Sequence, residues 1–212
     1  MSELRYSLLT DGSSDRVLLR IIDWLLRHHV SAGLAVQGEW ADLRQLHNPP
    51  RNLADRIEQA VYLYPCDVLF IHRDAEAAPR EHRAREIEEA KANSSQGNLP
   101  SICVVPVRMT EAWLLFDEQA IRKAAGNLNG SAPLSVPAYG AEGVPNPKEL
   151  LHELLLTASE LTGRRRKRFR PERCVWNVAQ YISDFTPLRS LSAFRAMEQD
   201  VAQLLNCQGW GK

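Results

Sequence analysis

The chain has 212 residues, of which 44% are hydrophobic and 25% are charged, and its 26 basic and 26 acidic side chains give a formal net charge of zero. This composition is typical of a soluble globular protein, and the overall charge predicts neither nucleic-acid binding nor membrane binding. No apolar run reaches the roughly 18 residues that span a bilayer and the four cysteines form no closely spaced pair, so we expect a cytoplasmic protein with reduced thiols and no membrane contact.

The first 125 residues alternate strand-like and helix-like segments. Short apolar runs predict the strands, and apolar residues at helical spacing predict the helices between them. In chain order the predicted segments are strand 5–10, helix 15–29, strand 33–38, helix 52–64, strand 67–72, helix 79–92, strand 101–107 and helix 110–116. Strands that alternate with helices predict an α/β fold with a Rossmann-like, mainly parallel sheet and helices on both faces, here over residues 1–125.

The chain changes character after this core. Residues 126–147 are rich in Gly, Pro, Asn and Ser, which predicts a long loop or linker. Helical patterns follow at 148–161, 175–182 and 192–205. We therefore expect residues 148–212 to form a C-terminal helical extension packed on the core.

Acidic side chains follow the first and third predicted strands. Asp11 ends the first strand, and Asp74 and Glu76 follow the third at a spacing that points both side chains the same way in an extended segment. Ligands of open parallel sheets bind beyond the carboxyl ends of the strands, so these carboxylates converge if the two strands are neighbours. A divalent cation would relieve their repulsion, and oxygen-only ligands suit Mg²⁺ or Mn²⁺.

Three more charged residues follow strands at the same predicted edge. Glu111 stands in the first turn after the fourth strand, as a further metal ligand, as a general base or merely as a partner of the helix dipole. Arg73 and Arg108 fall at strand ends and are candidates to hold phosphate oxygens, unless each pairs with a neighbouring acid.

Two residues beside these acids have simpler interpretations. Asp15 begins a predicted helix, where acidic residues favour the cap and the first turn, so we expect a cap or dipole partner rather than a ligand. His72 ends the apolar third strand, and we expect a packed histidine rather than a catalytic one.

The densest positive charge lies in the run RRRKRFR, between the first two helices of the extension. It comprises Arg164, Arg165, Arg166, Lys167, Arg168, Phe169 and Arg170. Such a run can neutralise phosphates, and a phenylalanine can stack on a base, so we expect contact with DNA or RNA. Contact with an acidic partner protein and simple solvation of a charged face are the alternatives.

Three segments, taken in order, resemble the TOPRIM domain and most closely the TOPRIM-like DUF4276 family. They are TDGSSDRVLL, VLFIHRDAE and VPVRMTEAWLL, and the later NPKELL and SDFTPLRSLSAF extend the resemblance over most of the chain. The resemblance implies a Rossmann-like sheet and Mg²⁺-dependent strand cleavage or related phosphoryl transfer. Because family members often accompany an ATPase with a defence-type role, it also implies an ATPase partner.

The family pattern places Asp11 where a Glu is usual, and Asp74 and Glu76 where two Asp are usual. The first acid is thus one methylene shorter and the last one longer, which leaves two functions open. One is a metal-dependent nuclease in which these three acids hold the metal and act with Glu111. The other is a non-catalytic binding or regulatory subunit with a degenerate metal pocket, whose helical half docks an ATPase or a second copy of the chain as a homo-oligomer.

Overall fold

The computed structural model of the protein describes residues 3–75, 78–137 and 141–212. Within them, four parallel strands form one sheet in the order β2-β1-β3-β4. The strands are β1 (Glu3–Leu9), β2 (Ala35–Trp40), β3 (Val68–His72) and β4 (Ser101–Val104). The expected α/β fold with a parallel sheet and a helical C-terminal part is confirmed.

The described residues form eight α-helices joined by loops and short 3-10 turns. The helices are α1 (Leu18–His29), α2 (Leu53–Leu63), α3 (Arg80–Ala92), α4 (Glu118–Ala124), α5 (Pro147–Ala158), α6 (Gly163–Arg168), α7 (Val175–Tyr181) and α8 (Ser192–Cys207). None of these helices combines the length and the apolarity that a membrane crossing requires.

The centre of the sheet is buried on both faces, as β3 shows. Val68 and Phe70 belong to one hydrophobic cluster, whereas Leu69 and Ile71 belong to a second one on the opposite face. Alternate residues of a strand point to opposite faces, so a central strand that is apolar throughout needs helices on both sides.

The helices that follow β1 and β3 lie on opposite faces of the sheet. Helix α1, which follows β1, contributes Ile21 and Leu25 to the first cluster. Helix α3, which follows β3, contributes Ile87 to the second cluster. The two connections therefore leave neighbouring strands on opposite faces, which opens a crevice at the carboxyl ends of β1 and β3.

The C-terminal helices share the core of the sheet. Leu151, Val178 and Phe194 all belong to the first hydrophobic cluster, together with residues of β1, β3 and β4. The ring of Phe194 lies edge-on to that of Trp113, with centroids 5.5 Å apart. Residues 148–212 thus pack on the α/β core through a common hydrophobic interior.

The segment 126–147 is anchored to its surroundings at both described ends. Arg122 donates to the carbonyl of Ala132 at 2.7 Å, and the carboxylate of Glu142 accepts the backbone N–H of Ser192 at 3.0 Å, where α8 begins. The described part of this segment is therefore a docked loop.

Two predicted helices near the site are partly 3-10 turns. The predicted helix 15–29 begins with a 3-10 turn at Ser14–Val17, and the predicted helix 110–116 is a 3-10 turn at Thr110–Leu114. The second stops early because Asp117 caps α4, accepting a backbone N–H of that helix at 2.9 Å.

Candidate metal centre

One group of potential metal ligands lies in the crevice between β1 and β3. Asp15, His72 and Asp74 each offer a ligand atom, and these atoms lie within 4.8 Å of one another. Asp15 belongs to the 3-10 turn after β1, whereas His72 ends β3 and Asp74 follows it by two residues. Residues two apart in an extended segment point to the same side, so the backbone directs His72 and Asp74 toward one spot.

His72 is hydrogen-bonded through one of its two ring nitrogens. Its Nε2 lies 3.1 Å from Oδ1 of Asp74 and 3.1 Å from the hydroxyl oxygen of Thr110. Its Nδ1 is buried, lies 3.9 Å from Oδ2 of Asp15, and has no hydrogen-bond partner among the described residues. A carboxylate oxygen accepts, so a proton on Nε2 satisfies the contact with Asp74, and in that tautomer Nδ1 carries the lone pair.

This arrangement fits a metal ion. A histidine ligand usually donates its second ring N–H to a carboxylate, which fixes the tautomer and orients the coordinating nitrogen. His72 has this relation to Asp74 and directs the lone pair of Nδ1 into the crevice beside Asp15. Metal–ligand bonds of about 2.1 Å on each side reach across up to roughly 4 Å, and the 3.9 Å between Nδ1 and Asp15 lies within that span.

The charge of Asp15 is disfavoured by its surroundings. The residue is only 6% exposed, and this burial raises the pKa of its carboxyl group. His72 lowers this pKa, and the negative charge of Asp74 raises it. The backbone N–H of Gly12 donates to Oδ2 of Asp15 at 3.2 Å. A bound cation would favour the ionised form of such an acid.

Glu111 is a further buried acid at this edge. It is 5% exposed, and burial raises the pKa of its carboxyl group. Lys148, with its Nζ 3.9 Å from Oε1, lowers this pKa, whereas the charges of Asp15 and Asp74 raise it. The structure therefore places Glu111 within electrostatic reach of the metal-ligand group.

The chain that leads to Glu111 makes a strained turn. Arg108 has a φ of 66°, a left-handed conformation that non-glycine residues seldom adopt. The N–H of Met109 donates to the carbonyl of Val107 at 2.9 Å, which is the hydrogen bond of a γ-turn centred on Arg108. Strain of this kind clusters at functional sites, and here it precedes Thr110 and Glu111. A phosphate-holding role of Arg108 stays a prediction.

Asp11 differs from the expectation. Nη1 of Arg56 lies 2.8 Å from its Oδ1, and Nε of Arg73 lies 2.8 Å from its Oδ2. Its charge is thus balanced by two guanidinium groups, and Asp11 is not a member of the metal-ligand group that contains Asp74. The expected pairing of Asp11 and Asp74 around one metal, and a catalytic role of Asp11, stay predictions.

Two other predicted site residues need separate mention. Glu76 lies outside the described residues, so its role as a metal ligand stays a prediction. Arg73 was predicted to hold phosphate, and its guanidinium contacts Asp11 and lies 4.0 Å from Glu86. In this structure its partners are therefore carboxylates of the chain itself.

A cleft of about 580 Å³ opens beside Glu111. Trp176 lies in its wall, and the guanidinium of Arg16 covers the indole ring at 4.6 Å from the centroid. The basic residues that line the cleft are Arg16, Arg44, Lys148 and Arg173. A cleft with a basic wall beside a metal-ligand group can concentrate an anionic substrate there.

The predicted basic run folds as α6 and a short exposed continuation. All residues from 164 to 168 are exposed, whereas Phe169 is partly buried against the first hydrophobic cluster. Phe169 thus anchors the basic helix to the core, and its stacking on a base stays a prediction. Arg173, three residues after the run ends, lines the cleft that also contains Glu111.

The sequence pointed to Asp74 and Glu111 but gave Asp15 and His72 structural roles. Those roles are confirmed: Asp15 stands in the first turn of the 3-10 helix and accepts the backbone N–H of Gly12, and His72 is packed in the interior. What the sequence did not predict is that both also lie beside Asp74 as potential metal ligands. The available signal was the spacing of HRD, since residues two apart in an extended segment share a side.

The chain was also compared with known proteins. No family model matches it, and neither a curated protein nor a solved structure matches it. The resemblance to the TOPRIM-like DUF4276 family therefore stays a prediction from the sequence segments.

Proposed function

We propose that the protein is a divalent-metal-dependent phosphoryl-transfer enzyme that cleaves DNA or RNA. One observation carries the proposal: Asp15, His72 and Asp74 meet in a crevice at the switch point of a parallel sheet, with a buried ring nitrogen left unpartnered among the described residues. Buried charged and polar groups without partners are costly, and a metal ion would remove that cost.

Asp15 and Nδ1 of His72 would hold the metal ion, and Asp74, which lies at Nε2 on the other side of the ring, would orient the imidazole. A carboxylate and an imidazole nitrogen suit Mn²⁺ better than Mg²⁺, which prefers oxygen ligands alone. We therefore place Mn²⁺ first and Mg²⁺ second, where the sequence had suggested an oxygen-only site. When bound, such an ion polarises a phosphoryl oxygen and lowers the pKa of a coordinated water.

Glu111 is the general base in this proposal. Burial raises the pKa of its carboxyl group toward neutrality, which is the direction that favours proton transfer near neutral pH. Lys148 opposes the shift and favours the ionised form that accepts a proton. Asp74, by accepting from Nε2 of His72, fixes the orientation of the imidazole.

The basic surfaces support a nucleic acid as the substrate. The exposed residues of α6 offer phosphate contacts in a chain whose net charge is zero, so this charge is a local concentration. The cleft beside Glu111 adds further basic side chains, among them Lys148 and Arg173. A nucleic acid bound along α6 would therefore lead a phosphodiester toward the metal-ligand group.

An ATPase partner and a defence-type role complete the proposal. Both rest on the resemblance to the DUF4276 family alone. Co-purification of the tagged protein with an ATPase from its native cells would support this part, and a homogeneous, fully active single chain would contradict it.

The cleavage activity is tested with plasmid DNA, single-stranded DNA and tRNA, each with Mn²⁺ or Mg²⁺. Asp74→Asn should abolish cleavage of whichever substrate the wild type cuts. The matched control is Asp67→Asn, since Asp67 accepts the backbone N–H of Arg5 at the opposite end of β3. Equal cleavage by the wild type and Asp74→Asn, in folded preparations, would remove the assignment.

A non-catalytic binding subunit is the second candidate. The observation that favours it is the pairing of Asp11 with Arg56 and Arg73, because Asp11 stands where the family pattern has its glutamate. In this case the protein would bind Mn²⁺ or a nucleotide but cleave none of the three substrates, alone or with a co-purified partner.

A further inference from the structure

The carboxylate of Asp11 lies between two guanidinium groups at the end of β1. Arg56 and Arg73 each contact a different oxygen at 2.8 Å, and Arg56 also donates to the carbonyl of Thr10. The side chains of Arg56 and Arg73 are 18% and 26% exposed, so both charges are partly withdrawn from water. Guanidinium groups held this way favour an oxyanion between them, whether carboxylate or phosphate.

A pocket of about 230 Å³ adjoins Asp11 and offers room for a larger anion. Arg44, Arg51 and Arg56 line it, together with Asp11 and Asp42. The side chain of Asp11 is 40% exposed, so it can turn into solvent without unpacking the core. Arg44 is already bound to Asp42 at 2.7 Å, so once Asp11 turns out the pocket wall carries the charges of Arg51 and Arg56 beside that pair.

This anion site is distinct from the metal-ligand group. Arg73 stands between His72 and Asp74 in an extended segment, so its side chain leaves on the opposite side from theirs. It reaches Asp11, whereas the other two face Asp15. A phosphate held by Arg73 would therefore neighbour the proposed metal without being its ligand.

We propose that Arg56 and Arg73 form a phosphate-binding site and that Asp11 is its internal occupant, which a phosphate group displaces. A phosphate offers more oxygens than a carboxylate and can accept from both guanidinium groups at once. Phosphate cannot bind while the carboxylate of Asp11 occupies the site. The apparent affinity for phosphate is therefore the intrinsic affinity multiplied by the fraction of molecules in which Asp11 has left the site. That the phosphate belongs to a nucleic-acid substrate rests on the proposed function, whereas phosphate binding itself does not.

The test measures binding of inorganic phosphate to the metal-free, full-length protein by titration calorimetry. Asp11→Asn removes the competing charge, so binding should tighten about tenfold relative to the wild type. Adding Arg56→Gln to that variant removes one guanidinium and should weaken binding by about tenfold or more. Asp67→Asn, which removes a carboxylate 3.8 Å from Arg5 elsewhere in the fold, should match the wild type. Thermal unfolding checks that each variant is folded.

Unchanged, weaker or absent phosphate binding in Asp11→Asn overturns the inference, and so does binding that survives Arg56→Gln. Cleavage assays keep this outcome separate from the fate of the proposed function. If Asp11→Asn binds phosphate more tightly but the wild type shows no metal-dependent cleavage, only the enzymatic proposal is overturned. Cleavage that Asp74→Asn abolishes, with phosphate binding unaltered in Asp11→Asn, would overturn the anion site alone.

Discussion

Two acidic neighbourhoods at the same edge of the sheet are balanced in different ways. Asp11 is half-exposed and contacts two arginines, whereas Asp15 is buried and faces His72 and Asp74. Both acids follow β1 and both flank a Gly-Ser-Ser turn. A position directly after a strand therefore does not by itself make a carboxylate a metal ligand. The role of the carboxylate depends on which side chains the neighbouring strands and helices place beside it.

The largest expected effect is a loss of cleavage activity that occurs when a residue of the metal-ligand group is replaced and not when a paired acid elsewhere in the fold is replaced. Asp15→Asn and His72→Gln should each lower metal-dependent cleavage by about 100-fold or more, because each removes a proposed ligand atom. Initial rates at fixed Mn²⁺ measure this loss, with Asp67→Asn as the control that keeps wild-type rates. Wild-type rates in both ligand variants would contradict the assignment.

The next effect is stabilisation by the metal. Mn²⁺ at 100 times its Kd should stabilise the folded protein by about 2.7 kcal/mol, or roughly 5–10 °C in Tm. Asp11→Asn should keep this shift, because Asp11 has arginine partners, whereas Asp15→Asn should lose it. Thermal unfolding with and without Mn²⁺ measures the shift in Tm. If Asp11→Asn lost this shift and Asp15→Asn kept it, Asp11 rather than Asp15 would be the metal ligand.

A smaller effect concerns the buried acid Glu111. Burial raises its pKa, so between the ordinary glutamate pKa and the raised folded value the native state holds a proton that the unfolded chain has released. Stability therefore falls as the pH rises through that window, and the full penalty is present above it. Glu111→Gln should be more stable than the wild type at pH 7, by the order of 1 kcal/mol, and should lose part of this pH slope.

Denaturant unfolding of metal-free protein between pH 4 and pH 8 measures this difference. The two proteins should converge toward pH 4, where Glu111 is largely protonated in both states. If Glu111→Gln were less stable at pH 7 and had an unaltered slope, the carboxyl group of Glu111 would not bear the ionisation penalty inferred from its burial.

The smallest effect concerns α6. The double variant Arg165→Ala, Arg166→Ala should lower the slope of log affinity against log salt for duplex DNA by about 1.8, or about 0.9 per lost phosphate contact. Arg195→Ala, an exposed arginine on α8, is the control and should leave the slope unchanged. Fluorescence anisotropy at several salt concentrations measures this slope. Equal slopes in all variants would show that nucleic acid does not bind along α6.

The fold was predictable because its signals are local. The apolar run at the end of which His72 stands predicts a strand buried on both faces, and β3 is such a strand. The ends of helices were less predictable, since 3-10 geometry at Ser14–Val17 and the cap at Asp117 depend on short-range contacts that hydrophobic spacing does not encode.

The site was predictable only in part because its partners are distant in the chain. Asp74 and Glu111 could be predicted because each directly follows a predicted strand, and this position can be read from the order of strands and loops alone. Arg56 reaches Asp11 from α2, 45 positions away, and no pattern near either residue indicates this contact. Likewise, His72 looks like any polar residue that ends an apolar strand until β1 brings Asp15 beside it.

The most direct test of the central claim is pulsed electron paramagnetic resonance of Mn²⁺ bound to the protein. We expect one Mn²⁺ per chain with the modulation of a directly coordinated imidazole nitrogen, which disappears in His72→Gln and persists in Asp11→Asn. Bound Mn²⁺ without that nitrogen signal, or a signal that His72→Gln leaves intact, would contradict a metal centre built from Asp15, His72 and Asp74.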